Sequence, residues 1–192
     1  TTDDKPGAIL PDGYVSLREA IEAANTNLPF LDAAAGEGDG AVDTISFDPS
    51  LAGGTITLGG VHLTVSDNLS VSGLGPSELT ISGNQASRVF AIDADITADI
   101  ADLKITAGSG SDGGGIYNEG TLHVTNSVLA NNSATYGGGI YNDGGKVTIT
   151  GSTISDNEAS SHGGGIWNYG ALSVTDNVTL SVTNSVLAGN SA

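Results

Sequence analysis

The chain has 192 residues, of which 29 are Gly, 22 are acidic and only five are basic, for a formal charge of −17. So acidic a chain lacks the clustered Lys and Arg that phosphate neutralisation needs, which argues against nucleic acid and an anionic membrane surface as partners. With no Cys there are no disulfides or thiol chemistry, and with no Met the chain does not carry its own initiator.

In chain order, residues 1–42 read as an N-terminal cap. Ser16-Leu-Arg-Glu19 is a capping box, with the Ser16 hydroxyl facing the first turn and Glu19 reaching back. Leu17, Ala20, Ile21 and Ala24 then share one face, while Arg18 and Glu22 pair at i, i+4 on another. The spacing predicts a short amphipathic helix over residues 16–25 that covers the exposed end of a core. Residues 29–43 form a Gly- and acid-rich loop. Its Asp32, Glu37, Asp39 and Asp43 make it the candidate Ca²⁺ site, because hard cations take several oxygen ligands, and Asp3 and Asp4 are placed to contribute. Their spacing matches neither an EF-hand nor a Gly-rich calcium nonapeptide.

Residues 43–192 read as a coil of roughly six rungs. Ile45 and Phe47 open the first strand, and short runs at 55–58, 63–65, 69–71, 79–81, 88–92 and 102–106 continue it. A phrase then recurs three times: Gly113-Gly-Gly-Ile-Tyr-Asn118, Gly137-Gly-Gly-Ile-Tyr-Asn142 and Gly163-Gly-Gly-Ile-Trp-Asn168, with starts 24 and 26 residues apart. A period of that length marks a solenoid. The residues that follow alternate apolar and polar (Leu122 and Val124, Val147 and Ile149, Leu172 and Val174), so the unit is a strand. Alternation turns Ile116, Ile140 and Ile166 inward as an aliphatic ladder and Tyr117, Tyr141 and Trp167 outward as an aromatic one. Asn118, Asn142 and Asn168 fall at the next bend, and a second row, Asn132, Asn157 and Asn190, lies downstream. Stacked Asn residues bond from rung to rung. The last interval of that second row is 33 residues against 25 for the one before, which predicts an insertion around residues 176–180.

Asp93, Asp95, Asp99 and Asp102, near Arg88 and Lys104, are the best local grouping for acid–base chemistry, and they read as solvated outward positions rather than a catalytic set. His62, His123 and His162 are far apart and carry no partner motif. No catalysis is expected.

Val15-Ser-Leu-Arg-Glu-Ala-Ile21, followed by Ala23-Ala-Asn25, resembles the CSLREAI motif of large bacterial surface and secreted proteins. The segments Asp43-Thr-Ile-Ser-Phe-Asp48, Gly53-Gly-Thr-Ile-Thr57 and Leu79-Thr-Ile-Ser-Gly-Asn84 fit the same group, and the Gly-triplet phrases are similar to repeats of chlamydial-type polymorphic outer-membrane proteins. The resemblance implies an all-β, right-handed parallel β-helix with a short capping helix, export to the cell surface or medium of a bacterium or archaeon, and a role as stalk, adhesin or assembly unit. The family's usual Cys is Val15 here, so the disulfide that would tie the cap is absent.

The chain stops in mid-repeat at Val186-Leu-Ala-Gly-Asn-Ser-Ala192. An open rung at Val186 and Leu187 is expected to be covered by more chain or by another copy, and head-to-tail stacking would build a filament. The expectation is an extracellular structural or adhesive solenoid that assembles end to end or forms part of a stalk. Two alternatives are a secreted carbohydrate-binding or polysaccharide-cleaving module and an adhesin fragment that binds a host or neighbouring-cell protein. Stacked from rung to rung, Tyr117, Tyr141 and Trp167 are expected first to brace the coil; in the carbohydrate reading they are the platform for sugar rings.

Overall fold

The protein, described here from a computed structural model, is a parallel β-solenoid with one helix near its N-terminus. The structure describes residues 3–4, 14–38, 40–169, 179–183 and 185–192. Every strand pairing within its sheets is parallel. The chain winds from sheet to sheet and returns to each one turn later. One sheet stacks Asp43–Ser46, Leu69–Ser72, Thr97–Ala101, Thr121–Thr125, Lys146–Thr150 and Thr179–Thr183, so about five turns separate its first and last strands. A seven-stranded sheet runs beside it from Asp3–Asp4 and Gly54–Leu58 to Val186–Ala188. Leu63–Val65, Phe90–Ile92, Ile116–Asn118, Ile140–Asp143 and Ile166–Tyr169 make a third sheet.

The later turns add a fourth, narrow sheet of Ser109–Asp112, Ser133–Tyr136 and Glu158–His162. Sequence patterning gave no sign of it, because these strands are polar and bury only small groups; Ala134 and Ala159 share its inner row.

Registered stacking builds the core. Leu63, Phe90, Ile116, Ile140 and Ile166 occupy one row across the third sheet, and Leu69, Ala98, Leu122 and Val147 another across the six-stranded one. Most of these side chains are fully buried, and each buried aliphatic residue contributes about 1.5–3 kcal/mol. The row continues in register at Leu180, so the surplus of the last turn lies between Tyr169 and Thr179. Leu172 and Val174 fall outside the described residues.

Corners recur in register because each needs a left-handed residue. Asp102, Asn126 and Gly151 hold one corner at φ 56°, 46° and 61°, and Gly113, Gly137 and Gly163 hold another at φ 67°, 62° and 68°. Asn, Asp and Gly tolerate that conformation at least cost.

The helix spans Leu17–Thr26, with Ser16 as N-cap, both capping-box bonds formed and Asn27 as left-handed C-cap. Leu17 and Ile21 face the core and Glu19 is buried. The helix lies along Leu63–Val65, the edge strand of the third sheet. Arg18 donates to the carbonyls of Val61 and His62 at 2.7 and 3.0 Å. The Asn25 side chain donates to Thr64 O at 2.8 Å and accepts from Ser66 N at 2.9 Å. These bonds occupy main-chain groups beside the edge that a further strand would otherwise use.

Candidate functional site

Two Asn rows stitch the later turns. Asn118 Nδ2 donates to Asn142 Oδ1, and Asn142 Nδ2 to Asn168 Oδ1, both at 2.6 Å. In the second row Asn132 and Asn157 pass their amide hydrogens to Asn157 and Asn190 at 2.9 and 3.0 Å. The backbone N–H of each also donates forward, Asn132 N to Asn157 Oδ1 and Asn157 N to Asn190 Oδ1. A Ser row works alike: Ser127 N donates to Ser152 Oγ and Ser152 N to Ser185 Oγ, at 3.1 and 3.0 Å. These rows are scaffold, and they hold the outward side chains at one-rung spacing.

The Gly triplets form the corner between the narrow fourth sheet and the third. Here the chain bends so sharply that a Cβ on Gly113 would meet the Ile116 carbonyl. Outward residues just before the triplet therefore converge with those just after it. Asp112, Tyr136 and His162 stand in one row and Tyr117, Tyr141 and Trp167 in the other.

The rings on this corner pack together. Tyr117 and Tyr141 stack at 5.6 Å between centroids with 10° between planes. The stack does not continue to Trp167: Tyr141 packs instead on Tyr169 at 6.3 Å. Trp167 turns toward the other row, 4.7 Å from His162 and 6.3 Å from Tyr136, while Tyr136 stacks on His162 at 5.8 Å. Asp112, Tyr136, Tyr141, His162, Trp167 and Tyr169 thereby line a cleft of about 360 Å³. Tyr141 is buried at its base, whereas Tyr136 and Tyr169 are 36% and 57% exposed.

Charge is arranged around the rings. Arg88 lies over the Tyr117 face, 4.9 Å from its centroid. Its half-burial works against the guanidinium charge, and the Asp112 carboxylate opposes that effect. The Tyr117 hydroxyl bonds to Glu119 and Asp143, each at 2.9 Å. Burial first, then those two carboxylates, push the Tyr117 phenol far above its ordinary value. Burial also raises Tyr141, helped by Asp143 and Asp112. Both phenols are neutral donors at physiological pH.

The other candidate residues are dispersed. Asp43 is buried and accepts from Glu37 N at 2.5 Å, so it fastens the acidic loop. Among the described residues no three acidic or imidazole side chains are grouped as a metal site, and Asp39 lies outside those residues. Asp99 and His123, neighbours on the six-stranded sheet, meet at 2.6 Å, a pairing invisible without the register. Val186 and Leu187 are about half exposed on the last strand of the seven-stranded sheet. No family model matches the chain, and no curated protein or solved structure matches it.

The sequence singled out Tyr117, Tyr141 and Trp167 but missed Asp112, Tyr136, His162 and Tyr169. A signal was present: Asp112, Tyr136 and His162 each stand immediately before a Gly triplet.

Proposed function

We propose that this chain is an extracellular structural and adhesive β-solenoid that holds glycans on its aromatic corner without turning them over. The cluster of rings around the cleft supports this reading. Aromatic faces take the apolar faces of pyranose rings, and nearby carboxylates and phenols bond their hydroxyls. Tyr136, Trp167 and Tyr169 border the cleft, while Tyr141, stacked between Tyr117 and Tyr169, forms its base. The coil pre-organises this surface, which lowers the entropy lost on binding.

Trp167 is the only Trp in the chain, so its fluorescence reports on the cleft directly. Titration with a panel of oligosaccharides is expected to shift and saturate that emission. In Trp167→Ala, retention on immobilised glycan is expected to disappear while the thermal midpoint stays near that of the parent. A silent panel, with Trp167→Ala altering stability alone, would make the ring cluster an internal brace of the coil and overturn the proposal.

A further inference from the structure

We propose that the cleft is selective for glycans that carry free amines, a glucosamine-type polymer rather than a neutral or acidic one; this inference rests on the glycan reading above. The argument is the joint placement of π-faces and carboxylates. Tyr136, Tyr141, His162, Trp167 and Tyr169 line one cleft together with Asp112, and of these rings Tyr136 and Tyr169 are the most exposed. Ring faces are negative, and an ammonium group among several of them gains more than it would from any single contact. A carboxylate in the same wall adds an ion pair for that ammonium.

The potential around the cleft has the same sign. Asp143 and Glu119 stand at the Tyr117 hydroxyl, 2.9 Å away. After burial, Asp143 and Asp112 are the largest causes of the raised Tyr141 phenol. Among the described residues the guanidinium on these rings is that of Arg88, stacked on Tyr117 on the turn that also carries Asp112. Three carboxylates, Asp112, Glu119 and Asp143, stand around these rings against that one guanidinium, so an ammonium entering the cleft meets a net negative local charge. At long range the chain's charge of −17 steers a polycation toward it and repels a uronic or sulfated polymer.

A lone ammonium would leave most of the row unused. Tyr136, Trp167 and Tyr169 border the cleft on two successive turns, so an oligomer can lie against them while one amine enters the cleft. A neutral sugar uses the same rings but gains nothing from the net charge.

The experiment is a set of titrations of the full chain, read by Trp167 emission and by calorimetry, at neutral pH and two salt concentrations. The probes are hexamers of glucosamine, N-acetylglucosamine and glucose, together with choline chloride. The glucosamine hexamer is expected to bind at least about tenfold more tightly than the other two hexamers and to weaken with salt. Asp112→Asn is expected to lose about tenfold for that hexamer alone, with an unchanged thermal midpoint. Tyr136→Ala, on the exposed wall, is expected to weaken it as well. Equal affinity for the three hexamers, or no effect of Asp112→Asn, would overturn the amine requirement and leave glycan binding standing. Choline as tight as the hexamer would overturn it differently, by showing a small-cation cage. Silence from all four probes would remove both readings.

Discussion

Single side chains in this coil act on several turns at once, and Asn157 is the clearest case. It is fully buried, accepts two hydrogen bonds from Asn132, and donates its amide to Leu129 O and Asn190 Oδ1. Truncation to Ala strands the buried backbone N–H of Asn132 and the Leu129 carbonyl. Each orphaned buried group costs about 1–3 kcal/mol, so Asn157→Ala, which strands two, is expected to cost about 2–6 kcal/mol in equilibrium denaturation. Asn157→Asp keeps the acceptor but loses the donor and buries a charge, and it should cost more. A loss below about 0.5 kcal/mol in both variants would mean that the row is decorative. Tyr117 gives a second prediction at this scale. Its folded-state phenol titrates well above the unfolded value, so the folded chain holds its proton more tightly. That stability is complete below the unfolded value of about 10 and is lost as pH rises past it toward the folded value. Denaturation midpoints are therefore expected to fall above about pH 10, and less steeply in Tyr117→Phe. Parallel curves for the two proteins would contradict the assignment.

At the scale of the element, the Gly triplets are requirements of packing as much as of backbone angle. A Cβ on Gly114 would sit 2.5 Å from the carbonyl oxygens of Gly138 and Ser133, so one methyl group pushes two turns apart. Gly144 is left-handed at φ 73° but meets nothing within 4 Å. Gly114→Ala is thus expected to cost about 3 kcal/mol or more, and Gly144→Ala only the conformational strain of about 1–2 kcal/mol. The reverse order in thermal melts would show that angle rather than contact sets these corners. The same elements mark what sequence conveys. The helix was legible because its capping box and apolar face are local, and the third sheet because Ile116, Ile140 and Ile166 recur at a fixed offset. Ser109–Asp112, Ser133–Tyr136 and Glu158–His162 were not, because a strand that buries only Gly or Ala leaves no hydrophobic alternation to read. The swing of Trp167 away from Tyr141 was equally hidden. Register aligns their Cα atoms, but the choice between Tyr141 and His162 as neighbour belongs to the corner, which brings residues from both sides of the triplet together.

For the whole molecule the governing quantities are one-dimensional stacking and an unbalanced charge. Each turn touches only its neighbours, so the Asn and Ser rows and the aliphatic core are what couple one turn to the next. Against them works the repulsion among 22 acidic groups with five basic ones to offset it. Most of the described carboxylates lie outside the core, and Glu119 and Asp143, from successive turns, both bond the Tyr117 hydroxyl. Repulsion of this kind is long-ranged in dilute buffer and is cut off within about 10 Å at 0.1 M salt. Unfolding relieves it by separating the turns, so salt should stabilise the folded coil. Raising NaCl from about 0.02 to 0.5 M is expected to lift the thermal midpoint by about 2–4 °C for each kcal/mol of repulsion screened. A coil held together by surface ion pairs would respond in the opposite direction. A flat or falling midpoint would therefore place the decisive electrostatics in local pairs such as Asp99 with His123, and the charge of −17 would no longer be the term that opposes folding.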